Sequence, residues 1–125
     1  MKQKFSIISV LTLFFILALS FNGWANKTSV EIIAPEKATK GSEITIKIEV
    51  SHFGNSKGHF TDWVVVKING EEYKTWEYDK KNLPEGSNFS LEFTITAEED
   101  MEIVAEGNCN KHGSKGKDKV KIVIE

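Results

Sequence analysis

Glu43-Ile44-Thr45-Ile46-Lys47-Ile48-Glu49-Val50 alternates polar and β-branched apolar residues without a break. A period of two puts Ile44, Ile46, Ile48 and Val50 on one face, as a half-buried antiparallel strand requires. The pattern returns in Phe89, Leu91, Phe93 and Ile95, and again in Val120, Ile122 and Ile124. Further strands are expected at 29–34, 60–68, 73–78 and 101–106. Turn residues separate these runs: Lys40-Gly41-Ser42, Asn69-Gly70, Pro84-Glu85-Gly86 and the Gly-rich stretch 113–117. Asn-Gly between two apolar runs is the strongest short-range hairpin signal. Short strands at this spacing, with no helical periodicity, predict an all-β, immunoglobulin-like antiparallel sandwich of about seven strands. Trp63, Phe60, Phe89, Phe93 and the isoleucines are expected to fill its core.

The chain has 125 residues, 40% hydrophobic and 27% charged, enough for one domain of ordinary size. Residues 1–25 read as an address. Lys2 and Lys4 precede an apolar run from Phe5 to Phe21, and Gly23-Trp24-Ala25 supplies the small residues of a cleavage site. Basic start, apolar middle and small exit together make a secretory signal peptide; the competing reading is a retained anchor. No cysteine stands near the cleavage point to carry a lipid. The domain would then be 26–125, exported to the periplasm or beyond, with no membrane attachment after cleavage. Without Lys2 and Lys4 the 16 basic side chains become 14 against 18 acidic ones, a net charge of −4. That balance argues against nucleic acid as a partner, which needs a clustered positive field. A single cysteine excludes an intramolecular disulfide and a thiolate-rich zinc or iron–sulfur site.

All three histidines and the cysteine fall in two expected loops. His52 and His59 bracket Phe53-Gly54-Asn55-Ser56-Lys57-Gly58, and Cys109 and His112 lie in Asn108-Cys109-Asn110-Lys111-His112-Gly113. Taken singly, a lone cysteine is a small buried hydrophobe and a loop histidine is solvated. Loops of a sandwich gather at its two ends, so the two stretches can meet as a mixed nitrogen–sulfur metal site. Gly and Asn around Cys109 suit a turn better than a packed strand. Thiolate with imidazole suits iron, copper or zinc and disfavours magnesium and calcium. A blue-copper centre would want an axial Met after the His, and no Met follows His112.

Cys109-Asn110-Lys111-His112-Gly113 resembles the Cys-Asn-x-His-Gly signature of the superoxide reductases, the desulfoferrodoxin and neelaredoxin iron domain. His52 and His59, followed by Phe60-Thr61-Asp62-Trp63, resemble that family's paired histidines and the Trp-bearing strand after them. The resemblance covers 26–125 and implies an immunoglobulin-like sandwich holding mononuclear non-haem iron, Fe(2+)/Fe(3+). It implies equatorial histidines and an axial cysteine, hence His52, His59, His112 and Cys109 as metal ligands. It further implies one-electron reduction of superoxide to hydrogen peroxide, with electrons from an external donor protein. A lysine that attracts the anion is implied too: Lys27 by register, with Lys57 in the histidine loop as a second candidate and Lys111 inside the motif.

Departures from the pattern are specific. The family's first histidine aligns with Thr28, and its preceding glutamate with Asn26. Glu36-Lys37 is followed by Ala38 and offers no histidine either. The spacing from His52 to His59 is one residue longer than usual, and Phe53 stands where proline is usual. Water, the new amino terminus at Asn26 or a partner would then complete the equatorial set. Three readings follow: a superoxide reductase-like iron enzyme, a copper or zinc protein on the same scaffold, and a metal-free exported binding module. Oligomeric state is not legible in the sequence. Intact-mass measurement of the exported protein is expected to place its amino terminus at Asn26.

Overall fold

The computed structural model describes residues 27–125, so the expected signal peptide and Asn26 lie outside the described residues. Eight strands run in chain order: β1 Ser29–Ile33, β2 Lys37–Ala38, β3 Glu43–Ser51, β4 Thr61–Ile68, β5 Glu71–Glu77, β6 Asn88–Thr96, β7 Met101–Cys109 and β8 Lys117–Ile124. They form a three-stranded sheet, β1-β3-β6, and a five-stranded sheet, β2-β8-β7-β4-β5. The architecture is the expected sandwich, with one strand more. The addition is the two-residue β2, which pairs parallel with β8 at the sheet edge, so the sandwich is not wholly antiparallel.

Side-chain alternation builds the core. Ile44, Ile46, Ile48 and Val50 of β3 and Phe89 and Phe93 of β6 face inward from the smaller sheet. Val64 and Val66 of β4, Met101, Ile103 and Ala105 of β7, and Ile122 of β8 meet them from the larger one. Each fully buried Val or Ile contributes about 1.5–3 kcal/mol. The β4–β5 hairpin turns at Asn69-Gly70, where φ is 52° and 84°, the left-handed pair of a type I′ turn.

Two expectations are corrected. Trp63 is not in the core. With Val64 and Val66 inward, positions 63, 65 and 67 of β4 face out, and Trp63 lies half-buried on the outer surface beside Val65 and Val104. Cys109 is not on a turn. β7 continues past residue 106, and its buried positions run Met101, Ile103, Ala105, Gly107, Cys109. Gly107 conceals that continuation, because glycine carries no hydropathy signal.

Gly107 also has a packing reason. A Cβ there would lie 2.7 Å from Cγ2 of Thr28 and 3.2 Å from Cγ1 of Val30. Thr28 is fully buried, and its main chain is tied by Thr28 N–H to Gly113 O (3.3 Å) and by Lys115 N–H to Thr28 O (2.8 Å). Gly107→Ala is therefore expected to destabilise the fold by about 1–3 kcal/mol in chemical denaturation, the usual cost of overpacking. Adding Thr28→Ser, which removes the opposing methyl and keeps the hydroxyl, is expected to recover most of that loss.

Candidate metal centre

Strand parity delivers two of the candidate ligands. Inward positions of β3 are 44, 46, 48 and 50, and His52, one step past the strand, keeps that direction and is 2% exposed. Its main chain is held by His52 N–H to Ser87 O at 2.8 Å. Cys109, the last inward residue of β7, is also 2% exposed. The two strands belong to opposite sheets, so imidazole and thiol close the core from its two walls at one end.

The other two histidines arrive on short turns. Ser56 N–H donates to His59 O at 2.8 Å and His59 N–H to Ser56 O at 3.2 Å, which closes a turn with Lys57-Gly58 at its tip. His112 sits in a loop closed by mutual main-chain bonds between Cys109 and Gly113, both 2.9 Å. Gly113 has φ 82°, a left-handed conformation that glycine adopts at no steric cost. Asn110 fastens this loop to the start of β4. Phe60 N–H donates to Asn110 Oδ1 at 2.9 Å, and Asn110 N–H donates to Phe60 O at 3.0 Å.

The four side chains converge. Ligand atoms of His52, His59 and Cys109 all lie within 4.8 Å of one another. His59 Nε2 is 3.2 Å from His52 Nε2 and 3.0 Å from His112 Nδ1. The Cys109 sulfur is 3.9 Å from His112 Nδ1. Donors at about 2.0–2.1 Å (nitrogen) and about 2.3 Å (sulfur) from a first-row metal stand about 3–3.6 Å apart from each other. The two nitrogen contacts of His59 match that spacing, and the Cys109–His112 contact is slightly wide. A single N–H on His59 can be aimed at one neighbouring nitrogen, whereas a cation among them meets all the lone pairs. His52, His59 and Cys109 thus form a group whose donor types suit an iron, copper or zinc ion, and His112 stands beside two of them, His59 and Cys109.

The remaining candidates separate. Lys27 is exposed and lines a surface hollow of about 330 Å³ together with His52, Phe53, Ser87 and Lys115. Lys57 is exposed at the tip of the histidine turn, and Lys111 is exposed within the Cys109–Gly113 loop. Thr28, where the family pattern has a histidine, spends its hydroxyl on Thr61 Oγ1 at 3.0 Å. Sequence reasoning overlooked Thr61, the partner of Cys109 across β4 and β7, where a bulge shifts the register before Trp63. Bulges re-aim side chains beside functional sites, and this one turns both Thr61 and Val64 inward. It overlooked Asn55 as well, because an Asn after Gly reads as an ordinary turn residue.

A desulfoferrodoxin family model matches residues 22–115. No curated protein sequence matches the chain. Among solved structures, it is similar to a superoxide reductase (neelaredoxin) from Ignicoccus hospitalis, with TM-score 0.65 and 20% identity over 79% of this chain and 83% of that one. A CARDB domain from Pyrococcus furiosus, in complex with di-metal ions, aligns with TM-score 0.59 and 19% identity over 78% and 87%. The sulfur carrier protein SoxY from Chlorobium limicola aligns with TM-score 0.54 and 12% identity over 77% and 78%. At such identities these likenesses establish the fold, which proteins of different function share.

Asn110→Ala is expected to leave Phe60 N–H without its acceptor. Stability should fall by about 1–2 kcal/mol, the cost of an unsatisfied buried donor, read by urea unfolding.

Proposed function

The chain belongs to the desulfoferrodoxin family, and on that premise we propose that it is an exported mononuclear non-haem iron protein that reduces superoxide to hydrogen peroxide. The observation that carries this reading is the grouping of His52, His59 and Cys109 at the end of the core, with His112 beside His59 and Cys109. In the reaction, superoxide takes up one electron and two protons and leaves as hydrogen peroxide. Iron held by these four side chains supplies the one-electron chemistry. The electron comes from an external donor protein, since one cysteine cannot build a second, rubredoxin-type iron centre.

The protein's own groups divide the work. Cys109, buried and anionic when ligating, would be the strongest electron donor among the residues that hold the ion. The imidazoles add no charge, so the site holds one negative ligand only. His112 is exposed, which gives the cluster a side open to solvent for substrate and protons. With a net charge of −2 for the whole chain, attraction of an anion has to be local. Lys27, in the hollow beside His52, supplies that positive charge, and Lys57 between the two histidines is the second source. Superoxide does not cross membranes readily as an anion, so an exported location suits a substrate generated outside the cytoplasm.

Thr28 favours one second reading. Because its hydroxyl is engaged with Thr61, the chain offers four donors, a number that also suits zinc or copper. Metal analysis with an optical spectrum, on protein purified without chelator, tests both. Stoichiometric iron with a thiolate-to-ferric band and superoxide turnover is the expected result. Cys109→Ala is expected to abolish the band and retain the fold. Copper or zinc at that stoichiometry would establish the second reading, and no metal after reconstitution would leave a metal-free binding module.

A further inference from the structure

We propose that Asn55 is a positioning residue of this centre, whose side-chain carbonyl fixes the tautomer and ring orientation of His52. The proposal rests on the reading of His52 as a metal ligand. Asn55 sits half-buried in the loop between β3 and β4, and its amide is gripped by main chain at both ends. Thr61 N–H points at Oδ1 from 2.8 Å, and Nδ2 points at Gly86 O from 2.5 Å. A backbone N–H has only a proton to give and a backbone carbonyl only lone pairs. The orientation of the amide is therefore decided by its neighbours, with oxygen toward Thr61.

His52 Nδ1 lies 2.7 Å from that same oxygen. The contact is a hydrogen bond only if the ring donates, so Nδ1 carries the proton. In a neutral imidazole Nε2 is then a bare lone pair, and Nε2 is the atom 3.2 Å from His59 Nε2, facing the cluster. The ring is buried, so water does not offer Nδ1 a competing acceptor. Asn55 also links the centre's two walls. Its oxygen holds His52 after β3 and Thr61 of β4, and Thr61 is the cross-strand partner of Cys109. One amide thereby sets the first imidazole in register with the strand pair that carries the thiolate.

Asn55→Ala and Asn55→Asp separate positioning from loop tethering. Both lose the donor to Gly86 O, but aspartate keeps an acceptor for His52 and Thr61. Two readouts are needed on purified protein: nitrogen NMR of His52 without metal, and cobalt(II) titration followed by its visible bands. In the wild type the proton is expected on Nδ1. Asn55→Ala is expected to lose that preference and to bind cobalt about 10- to 100-fold more weakly, the usual cost of removing a ligand's hydrogen-bond partner. Asn55→Asp is expected to keep both the tautomer and an affinity at or above the wild type's. Equal losses in the two variants, an unchanged affinity in Asn55→Ala, or a wild-type proton on Nε2 would each overturn the assignment. A wild type that takes up no cobalt overturns the metal reading itself, which is a different result from a tight-binding wild type matched by Asn55→Ala.

Discussion

Side chains 44, 46, 48 and 50 of β3 face the opposite sheet, and His52 inherits their direction; the inward positions 101, 103, 105 and 107 of β7 do the same for Cys109. Strand alternation is stiff, because a shift of one residue would turn every isoleucine of β3 out to solvent. The apolar core thus holds the two buried candidate ligands in place from a distance. The inward direction of His52 and Cys109 needs no local scaffold, since each is the next inward position of a strand whose register is already set by packing; Asn55 orients the His52 ring. Nine paired positions between β3 and β6, from Glu43↔Thr96 to Ser51↔Asn88, lock that register on the histidine side.

At this end the core changes character. Isoleucines and phenylalanines give way to imidazoles, a thiol and two asparagine amides. The two amides, half-buried at Asn55 and exposed at Asn110, are partnered by main chain. Asn110 exchanges hydrogen bonds with Phe60, and Asn55 with Thr61 and Gly86. His59 and His112 are less buried and ride on tight turns, so the cluster has two fixed members against the core and two on the solvent side. Such an arrangement suits a centre that must keep an ion and still be reached from solvent.

Thr28 shows how the departure from the family pattern is absorbed. Its methyl group occupies the space that a side chain at position 107 would need, and its hydroxyl bonds to Thr61. The residue has become part of the packing between the first strand and the β4–β7 pair. Thr61 is in turn bonded to Asn55, so the position that lacks the histidine remains connected to His52 through two residues. The proposed centre is accordingly a four-donor set built on the same sandwich, and its occupant decides between a superoxide-reducing and a purely structural or electron-carrying role.

Much was legible because it is local. Side-chain direction in a strand repeats every two residues, so Ile44 to Val50 announced their own face. Parity also answers for Trp63: its size suggested the core, yet Val64 and Val66 inward leave it no choice but the outer surface. Asn69-Gly70 and the glycine of Cys109–Gly113 specify left-handed backbone through their own conformational freedom. What no local rule contains is contact between residues far apart in the chain. Thr28 meets Thr61 33 positions away, and His59 meets His112 53 positions away. The bulge before Trp63, the orientation of the Asn55 amide and the tautomer of His52 all follow from such meetings. The sequence by itself determined which residues face inward and which types of ligand are present; the packing of two sheets decided which of them touch, because only that packing brings distant main-chain donors and acceptors within bonding range.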